Sequence, residues 1–348
     1  MNNSKQPSLR RTTRVLPEFT VNLRTPPTER WDELLTDRWA KTAARKLIKD
    51  ILEDVEWRTG TLLFPVVKNL IARAGKSLAS SLGELDYMED VEEWSTYAIR
   101  DEAAVLLANY SYELHGLFRP FSGTGGLCSA ANRWLPNVGP VHLRNLDWPL
   151  PRMSSATVLL HFKGAPAGPF TAVSVPGMVG VLSGVARGRF SATVNSQEDD
   201  HDRRLPNFRG WAAGFLLRWL LEHCRSYDDA LRALRSAPAF VPFFVMLVGP
   251  KRGQSAVVEL RLSGRNRVLK SSGAPLCITN HFPRDMVTED HANSEKRLDV
   301  IARRTGNCRA KTTRGALAVL RHPRLTVENT QQSMVMNCVS GEVFLADL

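Results

Sequence analysis

Leu127-Cys128-Ser129 and, further along, His142-Leu143-Arg144-Asn145-Leu146-Asp147-Trp148-Pro149 are the strings on which the rest of this sequence turns. A glycine-rich approach, Ser122-Gly123-Thr124-Gly125-Gly126, leads into the cysteine, and Arg144 and Asp147 follow on a strand-like run. A cysteine attacks as thiolate, so it needs a base or a positive neighbour to shed its proton. Arg144 offers a fixed charge and a forked donor. Asp147 can orient an amine or accept a hydrogen bond from the group that takes the thiol proton. Were the chain cut before Cys128, the freed α-amine, with a pKa of about 7.7–8, would act as a base near neutrality. One residue would then carry nucleophile and base together.

Cys128, Arg144 and Asp147 at these intervals, inside an Arg-Asn-Leu-Asp-Trp-Pro string, resemble the N-terminal-nucleophile amidases that include acid ceramidase and N-acylethanolamine acid amidase, cousins of the bile-salt hydrolases and penicillin V acylases. Tyr110-Ser111-Tyr112-Glu113-Leu114 is similar to the sequence just ahead of their nucleophile. The resemblance implies an α+β fold, the αββα sandwich of two stacked antiparallel sheets between helix layers, preceded by a small helical N-terminal segment kept after self-cleavage. Periodicity alone does not reach that topology.

Ahead of the cysteine the pattern is mainly helical. Residues 1–16 are polar and basic and read as a disordered tail. Phe19 to Leu23 reads as a short strand. Trp31, Leu34, Leu35, Trp39, Ala43, Leu47, Ile48 and Ile51 recur at helical spacing. A second helix is expected over 61–80, with Phe64, Val67, Leu70 and Ile71 packed in the core, and a third over 98–110. The domain reading is therefore a tail at 1–16, a helical segment at 17–127 and a catalytic domain at 128–348.

Beyond the cysteine the period shortens to that of strands, expected at 128–132, 140–146, 156–163, 169–175, 178–185 and 189–195. Helices follow, an apolar one from Trp211 to Cys224 and one opened by Ser226 with acidic Asp228 and Asp229 in its first turn. Strands resume at 241–248, 255–262, 265–270 and 275–280. Helices at 294–304 and 312–320 and strands at 332–338 and 342–347 close the chain.

Acyl transfer needs donors where negative charge develops on the carbonyl oxygen. Cys277-Ile278-Thr279-Asn280-His281 ends a strand in an amide and is similar to the family's Thr-Asn-Tyr, so the resemblance gives Asn280 the oxyanion role, with Asn195 as second candidate. It also places an arginine shortly afterwards. Within Ser294-Glu295-Lys296-Arg297-Leu298 that is Arg297, with Lys296 the alternate. His142, on the same strand face as Arg144, leaves open a cysteine–histidine dyad. Leu114, Leu117, Phe118, Phe121 and Trp148 form either a hydrophobic lip for substrate or part of the core.

The net charge of +11 is spread along the 348 residues with no nucleic-acid motif, so nucleic acid is not an expected partner. An anionic membrane surface is one that such charge would favour. Five cysteines at irregular intervals suit one reactive thiol among core thiols. The histidines show no metal-ligand spacing, and no metal or cofactor is expected. The N-terminus has no secretory pattern and no apolar run is long enough to span a membrane, which points to the cytoplasm, unlike the family's lysosomal animal members. The resulting expectation is a self-processing cysteine amidohydrolase acting on N-acyl lipid amides, its two fragments staying associated. An acyltransferase, a bile-salt or penicillin-type acylase and a non-catalytic binding scaffold are the rivals.

Overall fold

The computed structural model describes residues 14–70, 73, 85–118, 128–150, 152–197, 206–283 and 292–348. Two sheets carry the fold. The larger has eight strands: β1 (Glu18–Asn22), β4 (Val158–Lys163), β5 (Phe170–Ser174), β6 (Ser183–Ala186), β7 (Phe190–Ser196), β8 (Phe243–Val248), β9 (Ser255–Leu260) and β10 (Arg267–Lys270), in that spatial order. The smaller runs β11 (Cys277–Ile278), β2 (Ser129–Leu135), β3 (Gly139–Asp147), β12 (Thr330–Asn337) and β13 (Glu342–Leu345). All pairings are antiparallel except β1 with β4, which is parallel. The two stacked, antiparallel sheets are those expected, with one parallel pairing at an edge.

Strand alternation fixes which side chains meet. Ala130, Phe244, Met246 and Val257 pack between the sheets at one side, Val173, Val185, Met334 and Met336 at another. The intervening residues Ala131, Val141, Leu143 and Val335 point outward against Val300, Ile301 and Leu317 of the helix layer beyond the small sheet. That layer is a long helix, Ala292–Gly306, and a 3-10 turn, Arg314–Val319, where an α-helix was expected. Both sheets are covered on both faces, so strands such as β8 and β12 are buried at every position.

The opposite layer joins two parts of the chain. α1 (Pro27–Arg30), α2 (Asp32–Thr36), α3 (Arg38–Thr59), α4 (Leu85–Trp94), α5 (Glu102–Asn109) and α6 (Ser111–Phe118) precede the cysteine; α8 (Ala213–His223) and α9 (Tyr227–Leu234) follow it, after the short α7 (Arg152–Ser155). Capping is regular: Asp37 accepts from Ala40 N–H, Asp101 from Ala104 N–H and Ser226 from Asp229 N–H. α4 escaped the sequence reading because its buried face carries Asp90 and Glu93 among Tyr87, Val91 and Trp94, which breaks the hydropathy pattern. Asp90 answers Arg218 of α8 at 2.7 Å and Arg30 of α1 at 3.4 Å, and Arg218 also meets Glu222 at 2.7 Å. Two cations face two carboxylates, so the buried cluster is neutral overall.

The short strand expected in the helical segment before the cysteine is β1, and it joins the large sheet as an edge strand. Two expectations change. Residues 14–16 are placed: Arg14 donates to the carbonyls of Ser154 and Leu345, and Leu16 is buried, while the rest of the expected tail lies outside the described residues. The helix at 64–70 does not bury the face foreseen for it. Phe64 and Val67 are half-buried, Leu70 is 56% exposed, and Leu62, Leu63 and Val66 are exposed as well; Ile71 lies outside the described residues.

A third difference bears on the site. The strand expected at 178–185 is confined to Ser183–Ala186. Residues 176–182 instead form a loop, with Gly177 at φ +90°, seated on the first turn of α8 where Val181 N–H meets the Gly214 carbonyl at 2.9 Å. The approach is close enough that a Cβ on Gly180 would stand 3.0 Å from the Gly214 backbone.

Candidate active site

Cys128 immediately precedes β2, and the β2–β3 register pairs Ser129 with Asn145 and Ala130 with Arg144. Arg144 therefore lies beside the start of β2 on the inner face, and its Nη2 is 3.6 Å from the Cys128 sulfur. Its Nη1 donates to the Leu182 carbonyl at 2.8 Å. On the other side β11 pairs Ile278 with Ala130, and the same antiparallel register carried two residues on sets Asn280 opposite Cys128. The sheet's hydrogen bonding thus brings together residues far apart in sequence.

Arg297 closes the arrangement from the outer helix. Its Nη1 donates to the Cys128 carbonyl at 2.8 Å and to Ser129 Oγ at 3.2 Å, and its Nη2 to Asn280 Oδ1 at 2.8 Å. Arg297 is buried and Lys296 exposed, which separates the two alternates by position. One turn earlier on the same helix face, Ser294 Oγ accepts from Asn280 N–H at 3.0 Å, and lies 2.7 Å from His281 Nδ1. The Asn280 amide nitrogen donates to the carbonyl and the hydroxyl of Ser196, both at 2.9 Å. Asn195, one residue before, donates to the Thr279 carbonyl at 3.0 Å, while its buried Oδ1 has no partner among the described residues.

Burial dominates the electrostatics. It raises the Cys128 thiol above its usual pKa, against the pull of Arg144, with Asp147 adding to the rise. Asp147 is pushed to about 7 by burial, opposed by its bond from Thr330 and by Arg297 and Arg144. Tyr112 packs its ring against Trp148, centroids 5.2 Å apart, and its phenol is raised well above the ordinary value by burial and by Cys128. Burial thus favours the thiol over the thiolate, and attack needs a base to take its proton.

His142 does not supply one. It is buried with Nδ1 3.0 Å from Ser191 Oγ and Nε2 3.1 Å from Thr193 Oγ1, and burial with Arg144 nearby lowers its pKa to about 3. It faces inward with Arg144 but stitches the two sheets together, so the dyad alternative has no geometric support. Leu114 and Trp148 are core residues; the side chains of Leu117 and Phe118 lie outside the described residues, as do Phe121, Leu127 and the glycine-rich approach. All five cysteines are free and buried. Among the described residues no three His, Cys, Asp or Glu side chains are grouped to hold a metal ion.

Tyr112, Ser196, Ser294 and Thr330 also enter the site, and the sequence reading gave them no role. Tyr112 and Ser294 stood within strings already singled out. Thr330 reaches the site through strand pairing and Ser196 through the stacking of one sheet on the other, for which nothing local in the sequence is a signal.

Two stacked sheets between helix layers, with a cysteine at the head of a central strand, define an N-terminal-nucleophile fold. The chain belongs to the family described as acyl-coenzyme A:6-aminopenicillanic acid acyl-transferase, whose model matches residues 134–314, just over half of its length. That match contains Arg144, Asp147, Asn195, Asn280 and Arg297 and begins just after Cys128. The chain is 25% identical over 260 residues to acid ceramidase of Balaenoptera acutorostrata scammoni, 26% over 257 residues to that of Mus musculus and 25% over 258 residues to that of Homo sapiens. In each case the match covers 70% of this chain and 63% of the relative, so it spans under two thirds of their length. Among solved structures it resembles a Caenorhabditis elegans N-acylethanolamine-hydrolyzing acid amidase ortholog, with a TM-score of 0.52 and 19% identity, covering 61% of this chain and 93% of that one.

Proposed function

We propose that this chain is a self-processing cysteine amidohydrolase that cleaves the linear amide of N-acyl lipids. The observation that carries the reading is the Cys128 sulfur at 3.6 Å from Arg144 Nη2, with the carbonyl of the same cysteine tied through Arg297 to Asn280. In the precursor the thiol attacks the Leu127 carbonyl carbon. An S–C bond forms, the Leu127–Cys128 C–N bond breaks, and the thiol proton leaves on the new α-amine. Water then hydrolyses the thioester, returning the thiol and freeing the Leu127 carboxylate.

In the cut enzyme the α-amine acts as the base. It takes the thiol proton as sulfur attacks the substrate carbonyl and gives it to the departing amine; water releases the acyl group as a carboxylic acid. Arg144 steadies the thiolate and Asp147 orients the amine. Asn280 and the Asn195 end of β7 face the oxyanion. For that, the Asn280 amide must exchange one of its bonds to Ser196 for the substrate oxygen, so Ser196 is the residue that substrate displaces.

Acid ceramidase and N-acylethanolamine-hydrolyzing amidase among the similar proteins favour an N-acyl lipid substrate. The exposed Leu62, Leu63, Val66 and Leu70, on a chain of net charge +11, suit docking on an anionic bilayer. Sedimentation with vesicles is expected to rise with anionic lipid and fall with salt; salt-insensitive or absent binding argues against it. The family's description favours a second reading, transfer of the acyl group to an acceptor amine, which product analysis with added amines distinguishes. Intact mass of the purified chain tests the central claim. Two associated fragments, cut before Cys128, are expected from wild type and one whole chain from Cys128→Ala. A chain that stays whole at every pH supports a binding scaffold instead.

A further inference from the structure

We infer that Asn109, on the segment before the nucleophile, is a positioning residue for Cys128, acting through the 176–182 loop and Arg144; this rests on Cys128 being the nucleophile. Asn109 ends α5 and is 4% exposed. Its Nδ2 donates to the Val105 carbonyl at 2.9 Å and the Gly177 carbonyl at 3.1 Å, and its Oδ1 accepts from Val179 N–H at 2.7 Å and Gly180 N–H at 3.2 Å. Both amide hydrogens and both lone-pair sites are used. One bond anchors the side chain to its own helix and the other three hold the loop.

The loop in turn aims the guanidinium. It ends at Leu182, whose carbonyl accepts Arg144 Nη1 at 2.8 Å and Val194 N–H at 3.0 Å. Among the described residues the only other acceptor that Arg144 meets is the Cys128 sulfur, and its buried Nε has none. A guanidinium normally placed by several acceptors is here directed by one backbone oxygen, that of the residue joining the loop to β6, where Val194 N–H of β7 also holds it. Arg218 holds the same loop from α8, donating to the Val179 carbonyl at 3.1 Å, but Asn109 alone among these contacts comes from the part of the chain ahead of the proposed cut. The segment before Cys128 thereby contributes to the geometry of the site it precedes.

The test reads the rate at which iodoacetamide alkylates Cys128, by mass spectrometry of the peptide that contains it, across pH, together with the extent of self-cleavage. The charged and titratable groups around that thiol are Arg144, Arg297, Asp147 and Tyr112. Releasing the loop withdraws the first of them. Asn109→Leu is expected to move the alkylation profile alkaline by about one pH unit or more and to slow self-cleavage by about tenfold or more. Asn109→Asp, which keeps the acceptor for both amides and one donor when protonated, is expected to fall between that variant and wild type. Leu231→Ala, a core truncation in α9, which packs on β8 and β9, is expected to lower the Tm and leave the profile where it is. The inference is overturned if Asn109→Leu lowers the Tm yet keeps the wild-type profile, or if Leu231→Ala moves the profile as far. A wild-type chain that never cleaves overturns the proposed self-processing instead, and the alkylation profiles still decide the role of Asn109.

Discussion

Thr330 donates its hydroxyl to Asp147 Oδ1 at 2.7 Å from directly across the β3–β12 ladder, while the buried Oδ2 of the same carboxyl has no partner among the described residues. One bond is too little to keep a buried carboxylate ionised, and the group titrates at about 7 against an ordinary 3.8. Below pH ~4 folded and unfolded chains are both protonated there. Between about 4 and 7 the unfolded chain releases a proton that the folded chain retains, so this group's contribution to stability falls as pH rises and levels off above. Asp147→Asn is expected to remove that loss, on the order of a few kcal/mol at pH 8, in urea denaturation. Thr330→Val removes the bond that favours the ionised form and extends the loss to higher pH. A difference between wild type and Asp147→Asn that does not change with pH contradicts this.

Histidine 142 gives the opposite titration. Its folded pKa of about 3 lies below the ordinary 6.5, so its contribution is complete above pH ~6.5 and is lost as pH falls toward 3. His142→Phe leaves the hydroxyls of Ser191 and Thr193 buried without their imidazole partner, at about 1–3 kcal/mol for each group left unpaired. Denaturation should show that cost. The pH profile of self-cleavage should stay in place, because the ring does not touch Cys128; a shifted profile would revive the dyad.

The sequence carried much of this fold, and the failures are instructive. Strands such as β4 and β8 announced themselves by composition, and Cys128, Arg144 and Asp147 by spacing. Which strands pair and how the sheets stack, and hence that Thr330 meets Asp147 and Ser196 meets Asn280, depends on contacts over more than eighty residues, for which local pattern holds no information. The strand expected from 178 starts only at Ser183: Val179 and Val181 have strand composition, but side chains from two helices, Asn109 and Arg218, bind the backbone there as a loop. α4 is hidden for a related reason, since its buried face carries Asp90, a charge that its partners Arg30 on α1 and Arg218 on α8 make tolerable.

Arg297 donates to three acceptors at once, Cys128 O, Ser129 Oγ and Asn280 Oδ1, which needs a planar fork more than a charge. Arg297→Lys keeps the charge on a single ammonium that cannot span the carbonyl and the amide together. Self-cleavage in this variant is expected to slow by about tenfold to a hundredfold, while Lys296→Ala, at an exposed neighbouring position, is expected to match wild type. Equal rates in Arg297→Lys and wild type would mean that charge alone suffices there.

Arg218 tests whether the segment before Cys128 is held to the body by charge as well as by apolar packing. Its guanidinium is fully buried, bonded to Asp90 of α4 and Glu222 of its own helix, and stacked 4.4 Å from the Tyr87 ring centroid, while Tyr87 donates its hydroxyl to Glu222 at 2.9 Å. Burying such a cluster brings little net stability over an apolar equivalent, yet removing one member strands the others. Arg218→Met is therefore expected to cost about 3–5 kcal/mol, chiefly through Asp90, whose carboxyl burial already raises in pKa against Arg218 and Arg30. Adding Asp90→Asn should restore a good part of that loss, a non-additivity diagnostic of two groups in one network. If cleavage occurs, the fragments of Arg218→Met should also separate at lower denaturant than those of wild type, since the ion pair crosses from one fragment to the other. Additive losses in the double variant would show that Arg218 acts through its packing on Trp31 and Phe162 rather than through its charge.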